Sequence, residues 1–196
     1  LRPVYKRPYR VTTDSVHHKP IAPNVLERRF DGWRVNQAWV ADITYIATAE
    51  GWLYLACIMD LASRRIVGWS MSERIQADLV CQALKSAYWQ RKPNAGLIMH
   101  SDRGSQYASD SHRQLIKHYR MVQSMSRTAN CWDNAAMESF FKTLKVERTH
   151  LLRYDTRAQA RLDIVDWIEG FYNRRRMHSS IGYKTPVAVE SGLMAA

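Results

Sequence analysis

The stretch Leu97-Ile98-Met99-His100-Ser101-Asp102-Arg103-Gly104-Ser105-Gln106-Tyr107 decides the fold. Its first three residues read as a short buried strand that delivers the chain to Asp102. The segment before it is helical: between Ala77 and Trp89, residues Leu79, Val80, Ala83, Leu84, Ala87 and Tyr88 recur at three- and four-residue steps, which gives one buried face. Pro93-Asn94-Ala95-Gly96 stops that helix. A strand reached through a helix is able to run parallel to an earlier strand, and the step is repeated by Ser111 to Tyr119 followed by Met121 to Met125.

Upstream the pattern is different. Val40 to Ile46, Trp52 to Asp60 and Arg65 to Met71 are rich in β-branched and aromatic residues, with Ala49-Glu50-Gly51 and Ala62-Ser63-Arg64 between them. Connections this short predict an antiparallel meander. The whole reads as an α/β fold: a mixed five-stranded sheet, three antiparallel strands then two parallel ones, with helices packed on both faces. Ligands of such sheets sit at the carboxyl ends of parallel strands, and Asp102 occupies that position.

Twenty-nine Lys and Arg against eighteen Asp and Glu give a net charge of +11, a balance that favours an anionic polymer as partner. The excess is dense in residues 1–36, where Arg2, Lys6, Arg7, Arg10, Lys19, Arg28, Arg29 and Arg34 are interrupted by four prolines. This predicts a basic extended arm, either following a phosphate backbone or linking to a further domain. A chain that begins with Leu1 is expected to follow a missing N-terminal part. Residues 37–190 then form the core and 191–196 a tail, with Val187 to Ala196 a short helix or a frayed end. Cys57, Cys81 and Cys131 are widely spaced and odd in number, as for reduced buried thiols of a cytosolic protein. His17-His18 has no cysteine pair at zinc-ligand spacing. No apolar run approaches the roughly twenty residues that cross a bilayer, so no membrane partner and a cytoplasmic location are expected.

Three carboxylates stand out. Asp42 lies mid-strand among Trp39, Val40, Ile43 and Tyr45, where a charge is costly unless it is paired or bound to metal. Asp102 ends the decisive strand. Glu138 follows after thirty-five intervening residues, on a helix. Projected at 100° per residue, Asn134, Glu138, Lys142 and Lys145 fall within about 40° of Glu138, while Met137, Phe140 and Leu144 fall on the opposite side. Glu138 with Lys142 taken alone is an ordinary surface pair; the stripe they share with Asn134 and Lys145 suggests more. Two divalent ions held by such acids stabilise the attacking and leaving oxygens of a phosphodiester displacement, and oxygen ligands suit Mg2+ or Mn2+. Asp60 is the rival acid, read as structural or supporting because Ser63-Arg64-Arg65 follow and are able to pair with it. Lys142 is a candidate DNA contact, Asn134 either a DNA contact or a support behind the metal ligands, and Arg103 beside Asp102 a further candidate DNA contact. So are Arg174 and Arg175, which fit a phosphate clamp or a solvated helix end equally. A helix with one broad apolar face (Ala160, Leu162, Ile164, Val165, Trp167, Ile168, Phe171) is expected over Thr156 to Phe171.

The phrases Trp39-Val40-Ala41-Asp42-Ile43-Thr44-Tyr45, Asp60-Leu61-Ala62-Ser63-Arg64-Arg65-Ile66-Val67-Gly68-Trp69, His100-Ser101-Asp102-Arg103-Gly104-Ser105-Gln106-Tyr107 and Asn134-Ala135-Ala136-Met137-Glu138-Ser139-Phe140-Phe141 occur in this order. Together they closely resemble the catalytic core of bacterial insertion-sequence transposases of the IS-three group, relatives of retroviral integrases, over roughly Val35 to Val189. The resemblance implies an RNase H-like fold and a DDE polynucleotidyl transferase in which Asp42, Asp102 and Glu138 ligate two metal ions. It also implies hydrolysis at the element's end, attack of the freed 3′-hydroxyl on double-stranded target DNA, contact of Lys145 with terminal DNA, and a homo-oligomer on DNA. The helix-turn-helix segments of that group are not found in this chain, and residues 1–36 look like the link that follows them.

Overall fold

The computed structural model describes residues 19–127 and 131–195. Arg2, Lys6, Arg7, Arg10, His17-His18, the Cys131 side chain and Ala196 lie outside the described residues. Five strands, β1 (Ala38–Thr48), β2 (Gly51–Asp60), β3 (Ile66–Ser72), β4 (Ile98–Ser101) and β5 (Val122–Met125), form one sheet in the order β3-β2-β1-β4-β5. β1, β2 and β3 pair antiparallel, while β4 runs parallel to β1 and β5 parallel to β4. This is the RNase H-like arrangement. The two parallel pairings are reached through α1 (Ala77–Arg91) and α2 (Asp110–His118), as the helix-then-strand pattern requires.

Alternation along the strands divides the core in two. Val40, Leu53, Leu55, Cys57 and Met59 face one cluster, built from α3 (Ala135–Leu144) and α4 (Arg157–Val165) through Met137, Phe140, Leu144, Ala160 and Ile164. Trp39, Ala41, Ala56 and Ile58 face the other, built from α1 and α2 through Leu79, Val80, Leu84 and Ile116. Helices therefore cover both faces. α1 approaches β3 so closely that a Cβ placed on Gly68 would lie 2.6 Å from the Ala83 carbonyl oxygen.

Two expectations need correction. Residues 19–36 carry no helix or strand, but from Ala22 onward they are not a free linker: Leu26 is fully buried, and Phe30 and Trp33 pack on the same cluster. The broad apolar face over Thr156 to Phe171 is narrower than read, since Leu162 is 76% exposed and Phe171 is also at the surface. From Asp166 to Tyr172 the winding is π-helical, so a projection at 100° per residue no longer applies. The C-terminal segment is a helix, α5 (Pro186–Ala195), pinned by buried Glu190, which takes ion pairs from Arg65 and Arg91.

Asp60 is structural, though its partners are not the neighbouring arginines. One carboxylate oxygen accepts from the Asn36 amide (2.7 Å) and the Trp39 indole (3.2 Å), the other from the amides of Ala62 (2.9 Å) and Ser63 (3.3 Å). Arg64 turns to Asp31 and Arg65 to Glu190. No helix among the described residues is long and apolar enough to cross a membrane.

Candidate active site

Strand register puts the first two carboxylates side by side. β4 pairs with β1 up to its last residue, Ser101, opposite Ala41, and Asp102 leaves the end of β4 beside Asp42, the next residue of β1, where neighbouring strands lie about 4.8 Å apart. Asp42 shares its parity with Val40, so it projects toward the face that carries α3. The Asp42 Oδ1 accepts from the Ile43 amide at 2.8 Å, and Asp102 Oδ1 from the Gly104 amide at 2.9 Å.

α3 brings the third. Its buried residues Ala136, Met137, Phe140, Phe141 and Leu144 pack on the sheet and leave Glu138 and Lys142 exposed. The helix start is tied to β1 by Asn134, whose Nδ2 donates to the Ala41 carbonyl at 3.1 Å, immediately before Asp42. Glu138 follows Asn134 by about one turn. Beyond Leu144 the helix widens to π winding over Lys145–Thr149. Lys145 lies at that junction with its Nζ 4.8 Å above the Tyr45 ring centroid, a cation–π contact.

Electrostatics show that these groups sense one another. The Asp42 carboxyl is pushed well above the usual carboxylate range, first by burial, then by the negative charge of Asp102 and further by Glu138. The Ile43 amide and the Lys145 ammonium oppose the shift. Partial burial raises Glu138 as well. Burial lowers Lys145, and Asp42 counters it. The cluster thus holds more negative charge than it compensates, which is the condition a divalent cation relieves. An all-carboxylate donor set suits Mg2+ or Mn2+. Among the described residues no three acidic, histidine or cysteine side chains close on a common point as a finished metal site.

Other sequence candidates fall in different places. Asn134 is 5% exposed, and its Nδ2 braces the strand of Asp42 through the Ala41 carbonyl. Arg103 is half-buried and its Nε donates to the Ser126 carbonyl at 2.5 Å, tying the end of β4 to the end of β5. Arg174 and Arg175 are exposed but not at the carboxylates: with Trp69, Met71 and Arg161 they line a groove beside β3, two strands away from β1.

Sequence reading missed Tyr45 as the seat of Lys145, and it missed two buried groups behind the site. His100 is fully buried with Nδ1 2.8 Å from Ser124 Oγ and Nε2 3.2 Å from Ser126 Oγ, and burial lowers its pKa to about 4. Asp133, also fully buried, binds Arg28, Arg127 and Asn24. A histidine two residues before a strand-end acid, and an acid just before a helix, were the available signals; their partners lie too far away in sequence to be read.

Fold and site together define an integrase-type core, with acids at the carboxyl end of a parallel strand and on the helix opposite it. Two family profiles described as "Integrase core domain" match, over residues 33–131 and 119–186. The chain is 48% identical over 188 residues to the "Insertion element IS600 uncharacterized 31 kDa protein" of Shigella sonnei, spanning 96% of this chain and 69% of that one. It is 42% identical over 195 residues to "Transposase InsF for insertion sequence IS3A" of Escherichia coli K12, covering 100% of this chain and 68% of the relative. Among solved structures, a chain of the simian T-cell lymphotropic virus intasome in complex with PP2A regulatory subunit B56 gamma superposes with a TM-score of 0.67 at 16% identity, over 91% of this chain and 60% of that one. The magnesium-bound catalytic core of HTLV-2 integrase, in a dimeric form, gives 0.57 at 14%, over 82% of this chain and 99% of that one. The chain belongs to the integrase core domain family and, within it, to the IS3-type transposases.

Proposed function

We propose that this chain performs the cleavage and strand transfer of insertion-sequence DNA, with Asp42, Asp102 and Glu138 as the metal-holding acids. The observation that carries the proposal is the Asp42 carboxyl, crowded by Asp102 and Glu138 in a desolvated position on adjoining elements. When bound, two divalent ions supply charge stabilisation at the attacking and leaving oxygens of the phosphodiester. The residues of the chain do the rest. Asp42 presents carboxylate oxygens from β1 and Asp102 from just beyond the end of its parallel neighbour β4, and Asn134 fixes the backbone between them and α3. Glu138 approaches from the helix. Lys145 places a cation next to the acids, where a DNA phosphate approaching the site is met by positive charge. Lys142, exposed about one turn from Glu138, extends that surface. Arg174 and Arg175 offer a separate basic surface, and residues 1–36 the connection to DNA-recognition segments. Joining two element ends to a target calls for a homo-oligomer assembled on double-stranded DNA in the bacterial cytoplasm.

The test is a strand-transfer assay on a precut duplex with a free 3′-hydroxyl, in Mg2+ or Mn2+. Asp42→Asn, Asp102→Asn and Glu138→Gln should each abolish joining while leaving the circular dichroism spectrum unchanged. Joining by any of these folded variants overturns the assignment. Cleavage without joining by the wild type reduces it to a nuclease.

A further inference from the structure

We propose that Asp133 is a positioning residue that couples the arm ahead of the core to the helix carrying Glu138. The inference rests on the reading of Glu138 as a catalytic acid. The Asp133 side chain is completely buried, yet every polar contact it makes goes to another segment. Oδ1 accepts from Arg28 Nε at 2.8 Å and from an Arg127 terminal nitrogen at 3.0 Å. Oδ2 accepts from Asn24 Nδ2 at 3.0 Å, from the Arg127 amide at 2.8 Å and from Arg127 Nε at 3.1 Å. Arg127 and Arg28 hold its carboxyl well below the usual range, against the opposing effect of burial.

Five hydrogen bonds on one carboxylate exceed what a helix start needs, and they join three segments: the arm, the end of β5 and the turn before α3. The turn leads straight to the site. Asn134 is the next residue and grips the Ala41 carbonyl beside Asp42, and Glu138 stands about one helical turn later. The same stretch of arm reaches the strand of Asp102. The Val25 and Leu26 amides both donate to Ser124 Oγ, at 2.9 and 3.2 Å, and that hydroxyl also bonds His100, two residues before Asp102. Residues 24–28 therefore touch both supports of the acid cluster. A shift of the arm has a short, rigid route to the relative placement of Asp102 and Glu138, and Asp133 is its link to Glu138.

A plain structural staple would also use these bonds, and the experiment separates the two. In the full 196-residue chain, Arg28→Gln and Asp133→Asn are compared with wild type by hydrogen exchange, without metal or DNA, and by strand transfer on a precut duplex. Coupling requires faster exchange of the α3 amides at unchanged α1 exchange, a fall in kcat of about 10–100-fold at unchanged KM for DNA, and substantial recovery in Arg28→Lys. Equal acceleration of α1 and α3 means a general staple and overturns the proposal, as does unchanged α3 exchange. Exchange is read independently of catalysis, so a wild type that joins no DNA would defeat the proposed function while the α3 measurement still decides the coupling.

Discussion

If Asp42 holds metal as proposed, it is the residue on which stability and function oppose each other. Its carboxyl titrates above its unfolded value because burial and two nearby acids penalise the charge. The folded state therefore holds this proton more tightly than the unfolded chain. Stability contributed by the protonated form is present at low pH and is lost as pH rises from the ordinary carboxylate range through the raised folded value. At neutral pH without metal, Asp42→Asn should raise the melting temperature while removing activity. Added Mg2+ or Mn2+ should raise the wild-type melting temperature and leave that of Asp42→Asn little changed, by mass action on the folded state. Thermal melts at pH 7.5 with and without metal give the answer, and a lower metal-free melting temperature in Asp42→Asn would show that the charge is compensated. Asp42 and Asp102 were legible as candidates in the sequence because an acid amid apolar strand residues, or at a strand's end, is costly without a purpose. The cap geometry of Asn134 and the partners of Asp133 were not. A 100° projection extended through Asn134 treats it as helical, whereas it is the cap, with φ −126° and ψ 28°. The partners of Asp133 in the arm stand 105 and 109 residues away.

At the scale of elements, the sheet was readable because its signals are local. Two short turns imply antiparallel neighbours, and helix-then-strand steps imply parallel ones; the observed order and directions follow. The helices after residue 144 were read less well, because π winding over Lys145–Thr149 and Asp166–Tyr172 breaks the period on which the projection depends. Nothing in a single sequence announces that change, which depends on packing against distant elements. Contact between β3 and α1 was likewise hidden. Gly68 permits it: a Cβ there would also meet Ala87 Cβ at 2.6 Å and its amide nitrogen at 2.8 Å. The obstacles include backbone atoms of a helix, so relief requires α1 to move away from the sheet. Gly68→Ala should therefore destabilise the protein by about 1–3 kcal/mol, read as a lower urea midpoint at an unchanged slope. A midpoint equal to the wild type's would mean that α1 is free to slide on β3. Since β3 lies two strands from Asp42, residual activity per folded molecule should stay near that of the wild type.

Over the whole molecule the governing quantity is charge. A net +11 favours polyanionic partners, and much of any affinity for a duplex should come from counterion release rather than from base contacts. The arginines do not contribute equally, because several are spent inside the fold: Arg65 and Arg91 on Glu190, Arg148 on Asp163, Arg176 on Glu147. Composition reports the total and is silent on this division; Arg103, for one, commits its Nε to the Ser126 carbonyl. Arg174 and Arg175 stand exposed beside Arg161 in the β3 groove. If that surface carries DNA phosphates, log K plotted against log salt should lose about one unit of slope for each of Arg174→Ala and Arg175→Ala, uniformly across duplex sequences. Arg103→Gln should leave the slope unchanged while lowering thermal stability. Fluorescence anisotropy of a labelled duplex between 50 and 200 mM salt, a range over which several phosphate contacts change affinity by orders of magnitude, measures all three variants. Unaltered slopes in both groove variants would assign Arg174 and Arg175 to a solvated helix end and leave Lys142 and Lys145, beside the acids, as the cations that meet the DNA.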